Sequence, residues 1–303
     1  MRTWTWLHPL IALALAPLLG GLIARTKAVF AGRTGAPVLQ PYFDLAKLFR
    51  KGTVYSGTTT VVFRAAPTVG LAATIVATLV VPFGGARALL AFPGDFLLVV
   101  GLLAVGRFAT VTAALDTGSS FEGMGASREV QFAALAEPAL FLSLAAVGLA
   151  AGGSSLSSMQ AAVSVESWLA AGPALPLIAA ALIAVVLAEN SRIPVDDPNT
   201  HLELTMIHEV MILDHGGPDL GLILYGAALK LWVMGALLVN IVLPFRTGDA
   251  WQDGGLSLAG MVMLAVAIGI IESSMARLRL TRVPQLLVGA ATLAALALVL
   301  VLR

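Results

Sequence analysis

The sequence contains no cysteine, and only 12% of its 303 residues are Asp, Glu, Lys or Arg. Without a thiolate the chain can supply no cysteine ligand to an iron–sulfur cluster or a thiolate-held metal centre, and its redox compartment cannot be read from cysteine usage. A soluble domain carries about 25% charged residues, so half that share excludes an ordinary soluble fold. The net charge of +1 gives no argument for a nucleic-acid partner. A glycine-rich phosphate loop after a strand, a nucleophile elbow and a paired-cysteine metal motif are all missing. What the chain has in excess is apolar side chains, 58% of the total, with a mean hydropathy of +0.93. This is the composition of a multi-pass membrane protein.

A helix needs about 20 apolar residues to cross the hydrocarbon. Eight runs qualify, at about 7–24, 66–82, 94–114, 131–151, 173–189, 219–243, 256–275 and 283–302. The period-two alternation of a barrel is missing, so the expected fold is an all-α bundle of eight transmembrane helices. No small-residue cleavage site follows the first run, which is therefore expected to remain as a span. The connections after helices one, three, five and seven hold twelve of the 18 Lys and Arg, and the opposite side holds four. That asymmetry puts both termini on the non-cytoplasmic side. Trp4, Trp6, Trp168 and Trp251 then flank helices at the outer interface. The whole chain, 1–303, is expected to be one transmembrane domain with cytoplasmic connections at 25–64, 115–130, 190–218 and 276–282. In the first of these, Leu39, Tyr42, Phe43, Leu45, Ala46, Leu48 and Phe49 fall near one helical face, which predicts a short amphipathic helix on the membrane surface.

The most informative connection is Ala188 to His215, AENSRIPVDDPNTHLELTMIHEVMILDH, with six of the chain's 17 acidic residues. Pro194 and Pro198 disfavour helix at the residues before them, so the chain is expected to leave the fifth span extended. A helix is expected to restart with Thr200 as N-cap and Glu203 closing a capping box. His201, His208 and His215 recur every seven residues, about 10 Å apart along a helix. That is too far to share a metal, and solvated or partner-facing histidines are expected instead. Within the spans lie Arg107, Glu137, Glu189 and Lys230. Such groups normally face the bundle interior and pair. Two readings stay open: a static Arg107–carboxylate pair that fixes packing, or a proton path through carboxylates tuned by burial and cations. Glu203 divides the same way, between helix capping and an acidic funnel with Asp196 and Asp197. Glu272, near Arg277 and Arg279, is expected to form an interfacial ion pair.

Four stretches together carry a family resemblance. Glu189, Arg192, Pro194, Asp196, Pro198, Glu203 and Leu204 follow the pattern E-x-x-R-x-P-x-D-x-P-x-x-x-x-E-L of the membrane subunits shared by complex I and the energy-converting (group 4) nickel–iron hydrogenases. GRTGAPVLQPYFDLAKLFRK, from Gly32 to Lys51, resembles the first loop of the formate hydrogenlyase type. Arg128 and Glu137 keep the nine-residue spacing of the complex I relative, and MARLRLTRVPQLL resembles the family's arginine-rich entry to its last helix. The resemblance implies a membrane anchor that docks a cytoplasmic catalytic arm and couples its redox step to proton or sodium movement. It implies Glu137, Glu189 and Glu203 in the ion-conducting line; Lys230 and Arg107 are expected to join them as the charged groups inside the spans. Arg33, Gln40, Asp44, Lys47, Arg128, Arg192, Asp196 and Asp197 would serve the junction. Its implied partners are the hydrogenase large and small subunits, a ferredoxin-like subunit, antiporter-like membrane subunits and the lipid bilayer, with no nucleic acid, in the cytoplasmic (inner) membrane. The nickel–iron centre and iron–sulfur clusters would sit in those partners, and this chain would hold no catalytic or metal-binding residue. The respiratory subunit carries a further Glu pair after Glu203, which His208 and Glu209 meet only at a shifted spacing. The run MIHEVMILDHGGPDL favours the hydrogenase type. A quinone-site subunit of complex I and a stand-alone secondary ion transporter are the alternatives.

Overall fold

The computed structural model describes residues 2–196 and 206–303. Every described element is helical: α1 (Arg2–Phe30), α2 (Gln40–Phe49), α3 (Val61–Val80), α4 (Asp95–Asp116), α5 (Ser120–Ala151), α6 (Leu156–Ala162), α7 (Val165–Ala170), α8 (Ala174–Glu189), α9 (His208–Met211), α10 (Gly217–Val242), α11 (Ala250–Ser274) and α12 (Val283–Val301). A helix stands at each of the eight expected spans. Seven are long and apolar enough to cross a bilayer, and α8, with 16 residues, is the shorter apolar one. At 1.5 Å per residue α8 covers about 24 Å. The chain is a multi-pass integral membrane protein.

Local chemistry accounts for the ends of these helices. Thr60 caps α3 by accepting from the Val62 amide, and its own hydroxyl and amide are held by Asp116 at the end of α4. Ser155 and Ser164 form capping boxes at α6 and α7. Asp95 is wholly buried and accepts from the Leu156 amide at 2.6 Å, tying the start of α4 to the short helices after α5. The four tryptophans expected at one interface do lie at one end of the bundle. Trp4 meets Trp251 edge-on at 5.1 Å, and Trp168 donates to the Ile241 carbonyl.

The core runs along α10, whose Trp232–Ile241 segment is almost wholly buried, and extends into α1, α5, α8 and α11. Close approach depends on glycine, as two positions show. A Cβ on Gly269 of α11 would sit 3.2 Å from the Ile23 carbonyl of α1, and one on Gly125 of α5 would sit 2.8 Å from the Ile207 carbonyl before α9. The amphipathic helix forms as predicted. α2 leaves Phe43 and Phe49 exposed, and Tyr42 donates to the Ala14 carbonyl of α1.

Three expectations change. α5 begins at Ser120, so of the connection expected over 115–130 only 117–119 separates α4 from α5. The chain after α8 is not extended. The amides of Ser191, Arg192, Val195 and Asp196 all bond back within five residues, and Ile193–Asp196 is buried. The carbonyl of Pro194 instead receives the Leu278 amide, so the loop before α12 holds this turn down. The histidines differ as well. His215 is buried and stacked on Phe63 at 3.9 Å, and His208 is half-buried, so neither is a solvated surface group. The predicted Thr200–Glu203 capping box, Asp197 and His201 lie outside the described residues.

A buried ion-pair network beside a cavity

Four helices meet at Arg107. It stands on the inner face of α4, 9% exposed, where an unpaired guanidinium would be costly. Its Nη2 donates to both carboxylate oxygens of Glu189 at 2.6 and 2.7 Å, and its Nη1 donates to Glu137 on α5. Its Nε lies 3.5 Å from Glu129, also on α5. Lys230, midway along α10, reaches the Glu189 Oε2 at 2.8 Å. Glu189 therefore sits between two cations at the last residue of α8. Of the residues expected in the ion-conducting line, Arg107, Glu137, Glu189 and Lys230 are brought together; Glu203 lies outside the described residues. The Glu137 side chain is 36% exposed against 4% for Glu189, so it marks the outer edge of the network.

Glu129 was missed by the sequence reading. It precedes Glu137 by eight residues, close to two helical turns, so both fall on one side of α5. That spacing was the available signal, hidden because 115–130 was read as a connection.

Glu189, Glu129 and Lys230 also border a cavity of about 360 Å³. Its walls are largely apolar, from Pro67, Leu71 and Leu102 among others, and Asp44, Arg192 and His208 stand around it. Burial first, and then the nearby Lys230 charge, lowers the pKa of His208 to about 4, with Asp196 opposing. At neutral pH the cavity thus presents a neutral imidazole at His208.

A second set of ion pairs clamps the turn after α8. Glu272 near the end of α11, its side chain wholly buried, binds Lys27 of α1 at 2.9 Å and Arg192 at 3.5 Å. This corrects the expected pairing with Arg277 and Arg279. α11 ends at Ser274, and the following residues lie against Pro194, which carries Arg277 to Asp196 at 2.8 Å. Asp196, 2% exposed, also accepts from the His208 amide. The junction residues therefore divide. Arg33, Asp44 and Lys47 are exposed, and Gln40, half-buried, donates to Asp44. Arg128, which donates to the Met206 carbonyl, and Arg192 and Asp196 are engaged within the chain. Asp197 lies outside the described residues.

The fold and the site define a class: a multi-pass membrane helix bundle with a buried network of charged side chains on the wall of a cavity. Among the described residues no group of three His, Asp or Glu could hold a metal. Residues 5–303 match the family model described as NADH dehydrogenase, and the chain belongs to that family, of the complex I subunit 1 type. It is 31% identical over 290 residues to formate hydrogenlyase subunit 4 of Escherichia coli K12, covering 92% of each chain. It is 32% identical over 277 residues to hydrogenase-4 component C of the same organism, covering 88% of this chain and 85% of that one. A chain in the structure of a membrane-bound sulfane sulfur reductase, described as an archaeal respiratory membrane complex, superposes with a TM-score of 0.83 over 99% of both chains. At 21% identity that likeness speaks for the fold alone.

Proposed function

We propose that this chain is the membrane anchor and ion-coupling subunit of a complex I-like, membrane-bound hydrogenase of the formate hydrogenlyase type. The observation that carries the reading is Glu189, buried between Arg107 and Lys230 on the cavity wall and covalently continuous with the clamped turn at Arg192–Asp196. A change of charge in or near the cavity would alter the balance between these groups. The turn, held by Arg192–Glu272 and Asp196–Arg277, would carry the change toward a docked cytoplasmic arm. Coupling requires an element with two arrangements biased by redox state, and the turn at Arg192–Asp196 is the candidate for it. Hydrogenase large and small subunits with a ferredoxin-like subunit would dock on the loop side through Arg33, Gln40, Asp44 and Lys47. Their nickel–iron centre and clusters would do the electron chemistry, while antiporter-like chains would continue the membrane arm. The Lys and Arg asymmetry puts the loop side in the cytoplasm and both termini across the membrane.

Co-purification with metal analysis tests the reading: nickel in the assembled complex is expected, and a nickel-free complex would refute it. Replacing Glu189 or Glu203 by Gln should uncouple ion movement from hydrogen evolution while the complex still assembles. The second reading, a quinone-site subunit, is favoured by the cavity, whose volume and apolar walls suit a small-molecule ligand. Turnover that depends on added quinone would select it. The eight apolar helices run without the paired mid-span breaks expected of a stand-alone transporter.

A further inference from the structure

The open edge of the ion-pair network points to a neighbour. Arg107 and Lys230 face three carboxyl side chains, Glu129, Glu137 and Glu189, so acidic groups outnumber basic ones by one. Only Glu137 among the network's carboxylates has a side chain as much as 36% exposed; Glu129 is at 17% and Glu189 at 4%. It lies inside the apolar run of α5, where lipid tails offer neither a hydrogen bond nor a counter-charge. The exposed positions on α5 beside it form a stripe. Gln131, Ala134, Pro138 and Phe141 of α5 are exposed at helical spacing. Phe108, the residue after Arg107 on α4, is 70% exposed.

We propose that this α4–α5 face seats a transmembrane helix of a partner subunit, which sets a basic side chain against Glu137. Ala134 and Pro138 form a shallow floor that lets a helix approach closely, with the exposed Phe141 ring in the same stripe of α5. The incoming basic group matches the count of acidic side chains, so the ion-pair network is complete only in the assembled complex. The inference rests on the proposed function only in taking this chain to assemble with other membrane chains.

The absence of cysteine makes the test direct. In the assembled complex in native membranes, Ala134→Cys and Phe141→Cys, labelled with a maleimide photo-cross-linker, are expected to join a second, different membrane-embedded chain. The joined peptide should hold a Lys, Arg or His within an apolar run. Val299→Cys on the exposed face of α12 serves as the control position. Adducts at 134 and 141 only with lipid, with a second copy of this chain or with a soluble subunit would overturn the proposal. In a second arm, Glu137→Gln strands the partner's cation while leaving this chain with two cations and two carboxylates. Retention of that partner in detergent should weaken roughly thirtyfold or more and recover in Glu137→Asp. Retention equal to wild type in Glu137→Gln would also overturn it. A nickel-bearing cytoplasmic arm that still co-purifies when both arms fail would leave the functional reading standing and dismiss this interface alone.

Discussion

Replacing Glu189 by Gln tests the network at its centre. The substitution keeps the shape and one acceptor for Arg107 but removes the charge that two cations share. Arg107 retains Glu137 and the more distant Glu129, so it is not stranded. Lys230 is, because Glu189 is its only ion-pair partner among the described residues. Removing one partner of a buried pair costs about 3–5 kcal/mol. The Lys230 side chain is 20% exposed and borders the cavity, where water can reach it, so the lower end applies. For a chain of 303 residues a loss of about 3 kcal/mol corresponds to a fall in Tm of roughly 5 °C. Lys230→Met should cost less, about 1–2 kcal/mol, because Glu189 keeps both bonds to Arg107. The double variant removes anion and cation together. It should be more stable than the sum of the two losses by about 1–2 kcal/mol. The five tryptophans give an intrinsic fluorescence signal for thermal unfolding of all four proteins. Strictly additive losses, or single variants that melt with wild type, would refute the pairing and with it the account of why these charges are tolerated inside the bundle.

His208 should make the protein acid-labile. Its folded pKa is lowered to about 4 from 6.5, so its contribution to stability is complete above pH 6.5 and is lost as pH falls toward 4. The loss reaches at most about 3 kcal/mol. His215, lowered by burial as well, acts with the same sign. Melting temperature against pH should show the decline, and His208→Gln should flatten it. Gly125→Val should cost about 3 kcal/mol by pushing α9 off α5, since even a Cβ would meet Val210 and the Ile207 carbonyl; a thermal melt reads it directly. Glu272→Gln should cost about 2 kcal/mol after allowing for the partial exposure of Lys27 and Arg192. It should also speed proteolytic cutting near Arg192, whereas Gln131→Ala, at an exposed position, should not.

Much of the architecture was legible along the chain because lipid imposes a local rule. A span must satisfy its own backbone over about 20 apolar residues, and that length can be counted without knowing any neighbour. α2 was legible for a similar reason, since Leu39, Tyr42, Phe43 and Leu48 repeat at helical spacing. The prolines misled. The chain turns back through local backbone bonds around Pro194, and the turn is held down by the Leu278 amide, which bonds to the Pro194 carbonyl from 84 residues further along the sequence.

The sequence by itself determined that charges would stand inside the slab, at Arg107, Glu137, Glu189 and Lys230, because each is embedded in an apolar run. Which charge faces which was decided only by tertiary structure. Arg107 and Glu189 are 82 residues apart, and Arg192 finds Glu272 at a separation of 80. Helical periodicity fixes direction about one axis only. Partners on different helices follow from how those helices rotate and pack, and it is this packing that set Glu272 between Lys27 and Arg192 instead of beside the nearer arginines.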